Sequence, residues 1–477
     1  MKILLVIPPS PFLIDEKSLP HLGILSIATL LKTKKNHSVN VLDLSGIENY
    51  TDAFSYILEN NTFDIIGFTS STPQYPHVNQ LLKLIPAGVK KIIGGPHITS
   101  CFSPKHTNSR IEKNISDITT KFDTAFVGDS EISILKYIDE ELFNERVLNA
   151  DTDSKLFLTN NTINDYPWAD RTLIDIDSYH FYIDGSLCTS IISQLGCPFN
   201  CSFCCGRSSN SLRKIRTKSV DNVVREIEHL YKTFGFQAFM FYDDELNVSK
   251  SVNVLLKELI DFQKKFNVKF KFRGFVKSEL FTDEQAYLMK QCGFNWLLSG
   301  FEAASDRILV NINKKSTKKD NENVVKLCKK NGIKIKALMS CGHPGETKES
   351  VLDIKSWVID NKVDDLDVTI ITPYPGSPYY DLSTHVEGDT WKYTVSSTGD
   401  SLYSENINYS YISNFYKGIQ GSYKSYVHTD HITAEDLVKY RDIVEYDSKA
   451  ALNISYNVGN PTVKLQFTPD EIHSILK

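Results

Sequence analysis

A chain of 477 residues exceeds what one core holds, and at roughly 100–200 residues per domain it divides into two or three domains. Hydrophobic residues at 41% and charged residues at 23% fit a soluble globular protein and argue against disorder. A net charge of −5 leaves no electrostatic footprint for wrapping nucleic acid beyond a local basic run such as Arg213 to Lys218.

The opening run Lys2 to Ile7 is cut off by Pro8 and Pro9. It is too short for a signal sequence or a membrane span and reads as the first strand of a cytoplasmic protein. Further strands are expected at Ser38 to Leu42, Asp64 to Thr69, Lys90 to Ile93 and Thr124 to Val127, alternating with helices at Leu22 to Leu31, Thr51 to Glu59, Val78 to Ile85 and Glu131 to Tyr137. Such alternation implies right-handed βαβ units and a doubly wound parallel sheet, whose ligands sit beyond the carboxyl ends of the strands.

Those ends carry small and polar residues: Pro8-Pro9, Ser70-Ser71-Thr72, Gly94-Gly95-Pro96-His97 and Gly128-Asp129-Ser130-Glu131. Small residues let backbone approach a ligand closely. Each loop taken alone also reads as a tight turn or helix cap. Residues 146–185 lack a strong period and are expected to be a linker packed over both neighbours.

A second alternating series has strands expected at Leu187 to Ser193, Gln237 to Tyr242, Val268 to Phe272, Phe294 to Ser299, Ile333 to Ser340 and Asp367 to Ile371. Val223, Val224, Ile227, Leu230, Tyr231 and Phe234 form one apolar stripe at helical spacing, as an outer barrel helix requires. Six βα repeats fit an open (β/α)6 barrel with its chemistry at the strands' carboxyl ends. Residues 381–477 are tyrosine-rich, from Tyr403 to Tyr456, with helical patterns near Tyr411 to Gly418 and Ala434 to Val444. A small, mostly helical region is expected there, as a substrate cap or simply as a packing unit.

The first strand of this series runs into Cys197-Pro198-Phe199-Asn200-Cys201-Ser202-Phe203-Cys204. Three thiols on one short loop suit a four-iron cluster with one iron left open. A structural zinc site pairs two CxxC knuckles or adds histidines, and the second half of such a site is missing. The nine cysteines cluster only here, unlike a secreted disulfide framework. Cys205 is expected not to be a ligand, and Cys341 to be a small buried hydrophobe.

The CxxxCxxC loop after a strand resembles the cluster loop of the radical S-adenosylmethionine (radical SAM) superfamily. Asp243-Asp244-Glu245, Arg273, Gly300-Phe301-Glu302 and Gly342-His343-Pro344-Gly345-Glu346-Thr347 match its later strand ends in place and order. Together with Pro20-His21-Leu22-Gly23 and the GGPH turn, the N-terminal loops resemble the cobalamin-dependent (B12-dependent) branch, although GDSE at 128–131 departs from that branch's GEGE. The resemblance implies a Rossmann-like cobalamin-binding domain at residues 1–145, a linker at 146–185, a partial (β/α)6 radical SAM barrel at 186–380 and a C-terminal region at 381–477. It also implies a 4Fe-4S cluster on Cys197, Cys201 and Cys204. SAM contacts fall on Asp243, Asp244, Arg273 and Glu302, and cobalamin contacts on Ser70, Ser71, Thr72, Gly94, Gly95, Pro96, His97, Gly128 and Glu131.

No DxHxxG triplet occurs, so the resemblance implies cobalamin without a histidine lower ligand. The activity implied is methylation of an unactivated carbon of a small molecule. One SAM methylates cob(I)alamin, a second gives the deoxyadenosyl radical, and the substrate radical then takes the methyl group. A reducing partner such as flavodoxin or ferredoxin is implied as well. Ring closure or rearrangement on the same scaffold, and a cobalamin or cluster sensor without turnover, are the rival readings.

Overall fold

The computed structural model describes residues 1–34, 36–415, 423–455 and 464–477. The chain opens with β1 (Lys2–Ile7), α1 (Leu22–Lys32), β2 (Ser38–Asp43), α2 (Tyr50–Asn60), β3 (Ile65–Thr69), α3 (Tyr75–Leu82) and β4 (Lys90–Gly94). It continues with α4 (Pro96–Phe102), α5 (Ser109–Lys121), β5 (Thr124–Val127), α6 (Glu131–Ile138) and β6 (Val147–Asn149). The strands form one parallel sheet in the order β2-β1-β3-β4-β5-β6. Strand order reverses between β1 and β3, and a crevice opens at such a switch point, beyond the carboxyl ends. All five expected strands and four expected helices are present; α4 and α5, between β4 and β5, are additions to the expected pattern.

Residues 146–185 contribute an edge strand to each sheet: β6 to the first, and β7 (Tyr182–Ile183), antiparallel to its neighbour, to the second. They also touch both sides, through Trp168 Nε1 to Asn222 at 2.9 Å and the Asp170 amide to Thr29 Oγ1 at 2.8 Å.

The second unit runs β8 (Ser186–Ile191), β9 (Gln194–Leu195), α7 (Asn210–Arg213), β10 (Arg216–Thr217), α8 (Val220–Phe234), β11 (Ala238–Phe241), α9 (Val252–Phe266) and β12 (Lys271–Phe275). It is completed by α10 (Asp283–Cys292), β13 (Phe294–Glu302), α11 (Asp306–Asn311), α12 (Lys318–Lys330), β14 (Lys334–Cys341), α13 (Lys348–Asn361), β15 (Asp365–Ile370) and α14 (Pro378–Asp381). The sheet order is β15-β14-β13-β12-β11-β8-β7. Its helices are delimited by local chemistry. In α8, Ser219 accepts from the Asn222 amide at the start, Gly235 takes the left-handed turn at the end, and Val223, Ile227 and Leu230 are buried against the sheet. Arg273 on β12 feels Asp365 and Asp367 on β15, three strands away, as it would on the concave side of a curled sheet. The result is a six-repeat half-barrel.

The helical C-terminal region is built around α15 (Ala434–Ala451), which packs on α13 and β15. An antiparallel sheet precedes it, β16 (Thr384–Glu387), β17 (Thr390–Thr394), β18 (Ser401–Glu405) and β19 (Val427–Thr429). Of the helix expected at Tyr411 to Gly418, residues 411–415 are irregular, with turns at Tyr411, Asn414 and Phe415, and the rest, like Tyr456, lies outside the described residues. The final segment with α16 (Ile472–Ile475) returns to the first sheet, where Lys477 and Val41 exchange backbone hydrogen bonds of 2.9 and 3.0 Å. Among the described residues no helix is long and apolar enough to cross a membrane.

Candidate active site

A cavity of about 380 Å³ lies at the carboxyl ends of the first sheet and is shared with the half-barrel. Leu5, Gly23, Gly94 and Phe126 line it from the N-terminal side, and Ile192, Leu195, Ser211 and Leu212 from the side that leads into the cysteine loop. Its walls are mainly apolar. Charge enters through Asp129, Glu131, Lys218 and Glu226, the last two joined by an ion pair of 2.9 Å. Burial raises the Glu131 carboxyl above its ordinary value and pushes Asp129 up to about 7. A flat macrocycle with polar arms fits a slot of this make-up.

Of the residues singled out for cobalamin, Gly94, Gly95, Pro96, Gly128 and Glu131 line the cavity. Ser70, Ser71, Thr72 and His97 sit behind it and spend their polar groups on each other and on the turn. The Ser70 carbonyl accepts from the His97 amide at 3.0 Å, Ser71 pairs with Gln74, and a His97 ring nitrogen stands 3.1 Å from Thr72 Oγ1. Burial pushes His97 down to about 3, so the ring is neutral, and it packs on Tyr75 at 4.6 Å. Gly95 has φ +103°, and a β-carbon there would stand 2.7 Å from the Ser70 amide nitrogen. Its glycine is therefore demanded by the neighbouring chain rather than by the cavity.

The cysteine loop is held by a residue that sequence reasoning passed over. Arg207 donates to the carbonyls of Phe199 at 2.5 Å, Cys205 at 3.1 Å and Cys197 at 3.3 Å. Burial works against its charge, but Cys204, Cys197, Cys201 and Asp244 outweigh that and hold the guanidinium above its ordinary value. The three thiols thus share one electrostatic neighbourhood. Burial pushes the Cys205 thiol up to about 11; Arg207 acts on it as well, and it also feels Asp381 and raises the thiol of Cys101 on α4. Among the described residues no three His, Cys, Asp or Glu side chains close on a single metal ion. In a four-iron cluster each thiolate meets its own iron, so the three sulfurs would not have to converge on one point to hold it.

At the barrel mouth the predicted acids part company. Asp243 is buried and accepts from the backbone amides of Ser193 at 2.7 Å and Gln194 at 3.1 Å and from the Ser193 hydroxyl; burial pushes it up to about 6. It fixes the turn that launches the loop. Asp244 is exposed at the mouth. Arg273 lies deeper, between the rings of Phe181 and Trp296 at 5.6 and 5.9 Å.

Glu302 adopts φ +61° at a bulge in β13. It pairs with Lys314 Nζ at 3.0 Å and accepts from Ser340 Oγ at 2.7 Å. Burial works to raise its carboxyl, and Lys314 with Ser340 outweighs that and keeps it below its ordinary value. A β-carbon on Gly300 would stand 2.5 Å from Glu302 Oε1 and 3.0 Å from Lys314 Nζ, so this pair would have to shift to admit a side chain beside it. Ser340 also stands 2.8 Å from His343 Nε2, and His343 Nδ1 stands 3.2 Å from the Tyr379 hydroxyl. Burial pushes His343 down to about 4, and its ring lies 5.4 Å from Phe203 of the cysteine loop. Beside them Glu245 has a buried oxygen with no partner, and burial pushes that carboxyl up to about 7. An unfilled acceptor facing Lys314, Lys277 and Glu302 marks space for a ligand.

A half-barrel with three thiols on the loop after its first parallel strand, and acids at the next strand ends, defines the class. Residues 191–358 match the model of the Radical SAM superfamily, so this part of the chain is a radical SAM domain. It is 27% identical over 405 residues to an uncharacterized methyltransferase of Pyrococcus horikoshii, covering 80% of this chain and 83% of that one. It is 25% identical over 380 residues to bacteriochlorophyllide d C-8(2)-methyltransferase of Chlorobaculum tepidum, covering 77% and 76%. An anaerobic magnesium-protoporphyrin IX monomethyl ester cyclase of Cereibacter sphaeroides matches at 24% over 344 residues, 68% of this chain and 54% of that one. The fold is that of the radical SAM methyltransferase TsrM of Kitasatospora setae, whose structure holds cobalamin and a [4Fe-4S] cluster, with a TM-score of 0.59 at 16% identity over 83% of this chain and 81% of that one.

Proposed function

We propose that the protein is a cobalamin-dependent radical SAM methyltransferase acting on an unactivated carbon of a small molecule. The observation that carries this reading is the shared cavity. Its far wall, Ile192 and Leu195, belongs to the segment that runs directly into Cys197, so a group held by the N-terminal strand ends faces the loop of three thiols. Residues 1–145 then form the cobalamin-binding domain, 146–185 the linker, 186–380 the radical SAM domain and 381–477 the substrate-side region.

When bound, SAM at the cluster supplies a 5′-deoxyadenosyl radical, and cobalamin supplies a transferable methyl group. The protein's own residues orient and shield. Cys197, Cys201 and Cys204 hold the cluster, and Arg207 fixes their loop. Glu302 and Glu245 face the space where the SAM ammonium belongs, with Asp244 and Arg273 as further polar contacts. Gly94, Gly95, Pro96, Gly128 and Glu131 shape the cavity against the corrin, and Ser70, Ser71, Thr72 and His97 brace the turn behind it. Apolar walls exclude water from the reacting carbon. A reduced electron carrier completes the requirement.

The test uses methyl-deuterated SAM with the cluster- and cobalamin-loaded enzyme. Label in the product, with both S-adenosylhomocysteine and deoxyadenosine formed, is the expected result. The cyclase relative favours ring closure as the second reading, and deoxyadenosine without S-adenosylhomocysteine beside an unmethylated product would establish it. Absence of deoxyadenosine under reducing conditions would leave only a sensor.

A further inference from the structure

The cysteine loop meets solvent at its tip, where Pro198 and Asn200 are exposed while Cys201 is buried. Two segments clamp that tip. From one side Arg213 donates to the carbonyls of Pro198 and Arg207, each at 3.0 Å. From the other, Asn313 Nδ2 donates to the Asn200 carbonyl at 2.8 Å, and the Ser202 amide bonds the Ile312 carbonyl at 2.9 Å.

Both segments are basic. Lys214 follows Arg213, and Lys315, Lys318 and Lys319 follow Asn313; all four lysines are exposed. Among the described residues none of these five cations forms an ion pair, while Lys314, in the same run, pairs with Glu302. Of the acids nearby, Asp306 and Asp320 accept from the backbone amides of Lys318 and Thr317 instead. A chain of net charge −5 thus gathers, around the exposed tip of its cysteine loop, five cations that no carboxylate holds in a direct ion pair. Clustered like charges cost stability, and such a field attracts an oppositely charged partner and raises its rate of encounter.

We propose that this rim is the docking surface for an acidic one-electron carrier protein with a reduced flavin or iron–sulfur centre. The proposal rests on the radical SAM reading, because a cluster is what the electron enters. One electron leaves the carrier, which is oxidised by one unit, and the cluster passes from its 2+ to its 1+ state; no bond forms or breaks. Docking at the loop tip gives the shortest route, since the thiols lie directly beneath it.

The experiment compares the cluster-loaded enzyme with a triple variant, Lys214→Glu, Lys315→Glu and Lys318→Glu, using an acidic flavodoxin as the probe. Binding of oxidised flavodoxin is measured by titration calorimetry across a salt series. The unmodified enzyme should bind more weakly as salt rises, and the variant should lose roughly tenfold or more in affinity. Deoxyadenosine formation driven by dithionite should be unchanged in the variant, and formation driven by reduced flavodoxin should fall. The corresponding Lys→Gln triple should lie between the two, a gradation that misfolding does not produce. Equal flavodoxin affinity in enzyme and variant, or salt-independent binding, would overturn the proposal. Failure of the unmodified enzyme to form deoxyadenosine even with dithionite would overturn the functional reading beneath it.

Discussion

The cavity beyond β1, β3, β4 and β5 and the mouth of the half-barrel are both strand-end sites, built from opposite materials. The cavity is shaped by backbone and apolar side chains, and its floor turn is locked by bonds that never reach the ligand space, as with His97, Thr72 and Ser70. The mouth is a chain of polar contacts, Lys314 to Glu302 to Ser340 to His343 to Tyr379, with few acceptors left open. A broad, weakly polar ligand needs shape from its site, whereas a charged one needs placed partners. Substitutions should therefore act through volume in the first site and through removed ligands or charge in the second.

The largest effect belongs to the barrel side. Replacing Cys197, Cys201 and Cys204 together with alanine should abolish cluster absorbance after anaerobic reconstitution, and all SAM cleavage with it. Cys205→Ala should keep about four irons per chain, because the CxxxCxxC spacing is complete at Cys204, even though Cys205 shares the neighbourhood of Arg207 with the three other thiols. Loss of iron in the Cys205 variant alone would move the site by one residue.

The cavity is tested by volume. Gly23 lies in α1 and lines the cavity, with nothing within 4 Å of a β-carbon built there. Gly23→Trp should thus fill the slot at little cost to folding. Cobalamin retained after reconstitution should fall at least about tenfold, with the melting temperature nearly unchanged and deoxyadenosine still formed. Gly95→Ala should behave in the opposite way, losing roughly 1–3 kcal/mol of stability through its positive φ and the crowding by Ser70. Equal cobalamin loss without destabilisation in both variants would erase the contrast between the two glycines.

That pair also shows where sequence reading stops. The glycines of the GGPH turn announce a special backbone, but nothing in the sequence says whether a ligand or the chain itself crowds them. Strands and outer helices were legible because period and breakers are local. The sheet of β16 to β19 was not, since β18 finds β19 across an intervening segment. The cysteine loop was legible because its spacing is short. Arg207 and Lys314 lie in runs that read as solvated charge, and only the fold buries them beside Cys197 and Glu302. Asp243 and Glu245 look alike in sequence; burial with and without partners separates them.

A charge effect on the barrel side is next in size. One oxygen of Glu346 accepts from the amides of Gly342 and His343, the latter at 2.9 Å, and the other has no partner. Burial pushes the carboxyl from 4.5 up to about 8. The folded state then holds a proton that the unfolded chain releases at lower pH, so this group lowers stability as pH rises from about 4.5 to about 8. The slope is at most about 1.4 kcal/mol per pH unit. Glu346→Gln keeps the acceptor for both amides and removes the charge. Its denaturation midpoint should fall less than that of the unmodified protein between pH 5 and pH 8, both on the order of the window just given. Parallel pH profiles would show that Glu346 is ionised in the fold.

The smallest effect is expected at Cys341, the last residue of β14, beside the Gly342 to Thr347 turn. A thiol at a strand's carboxyl end invites a role in quenching a substrate radical. The side chain, however, belongs to the core between sheet and helices, with Val351, Ile371 and Leu437 in the same cluster. It is fully buried, and burial holds the thiol well above its ordinary value. It therefore acts as a small hydrophobe with no path to the concave face. Cys341→Ala should cost about 1 kcal/mol, the value of a small buried group, and leave cluster content, deoxyadenosine and product unchanged. Product lost while deoxyadenosine persists would place this thiol on the reaction path and contradict the side of the sheet on which it packs.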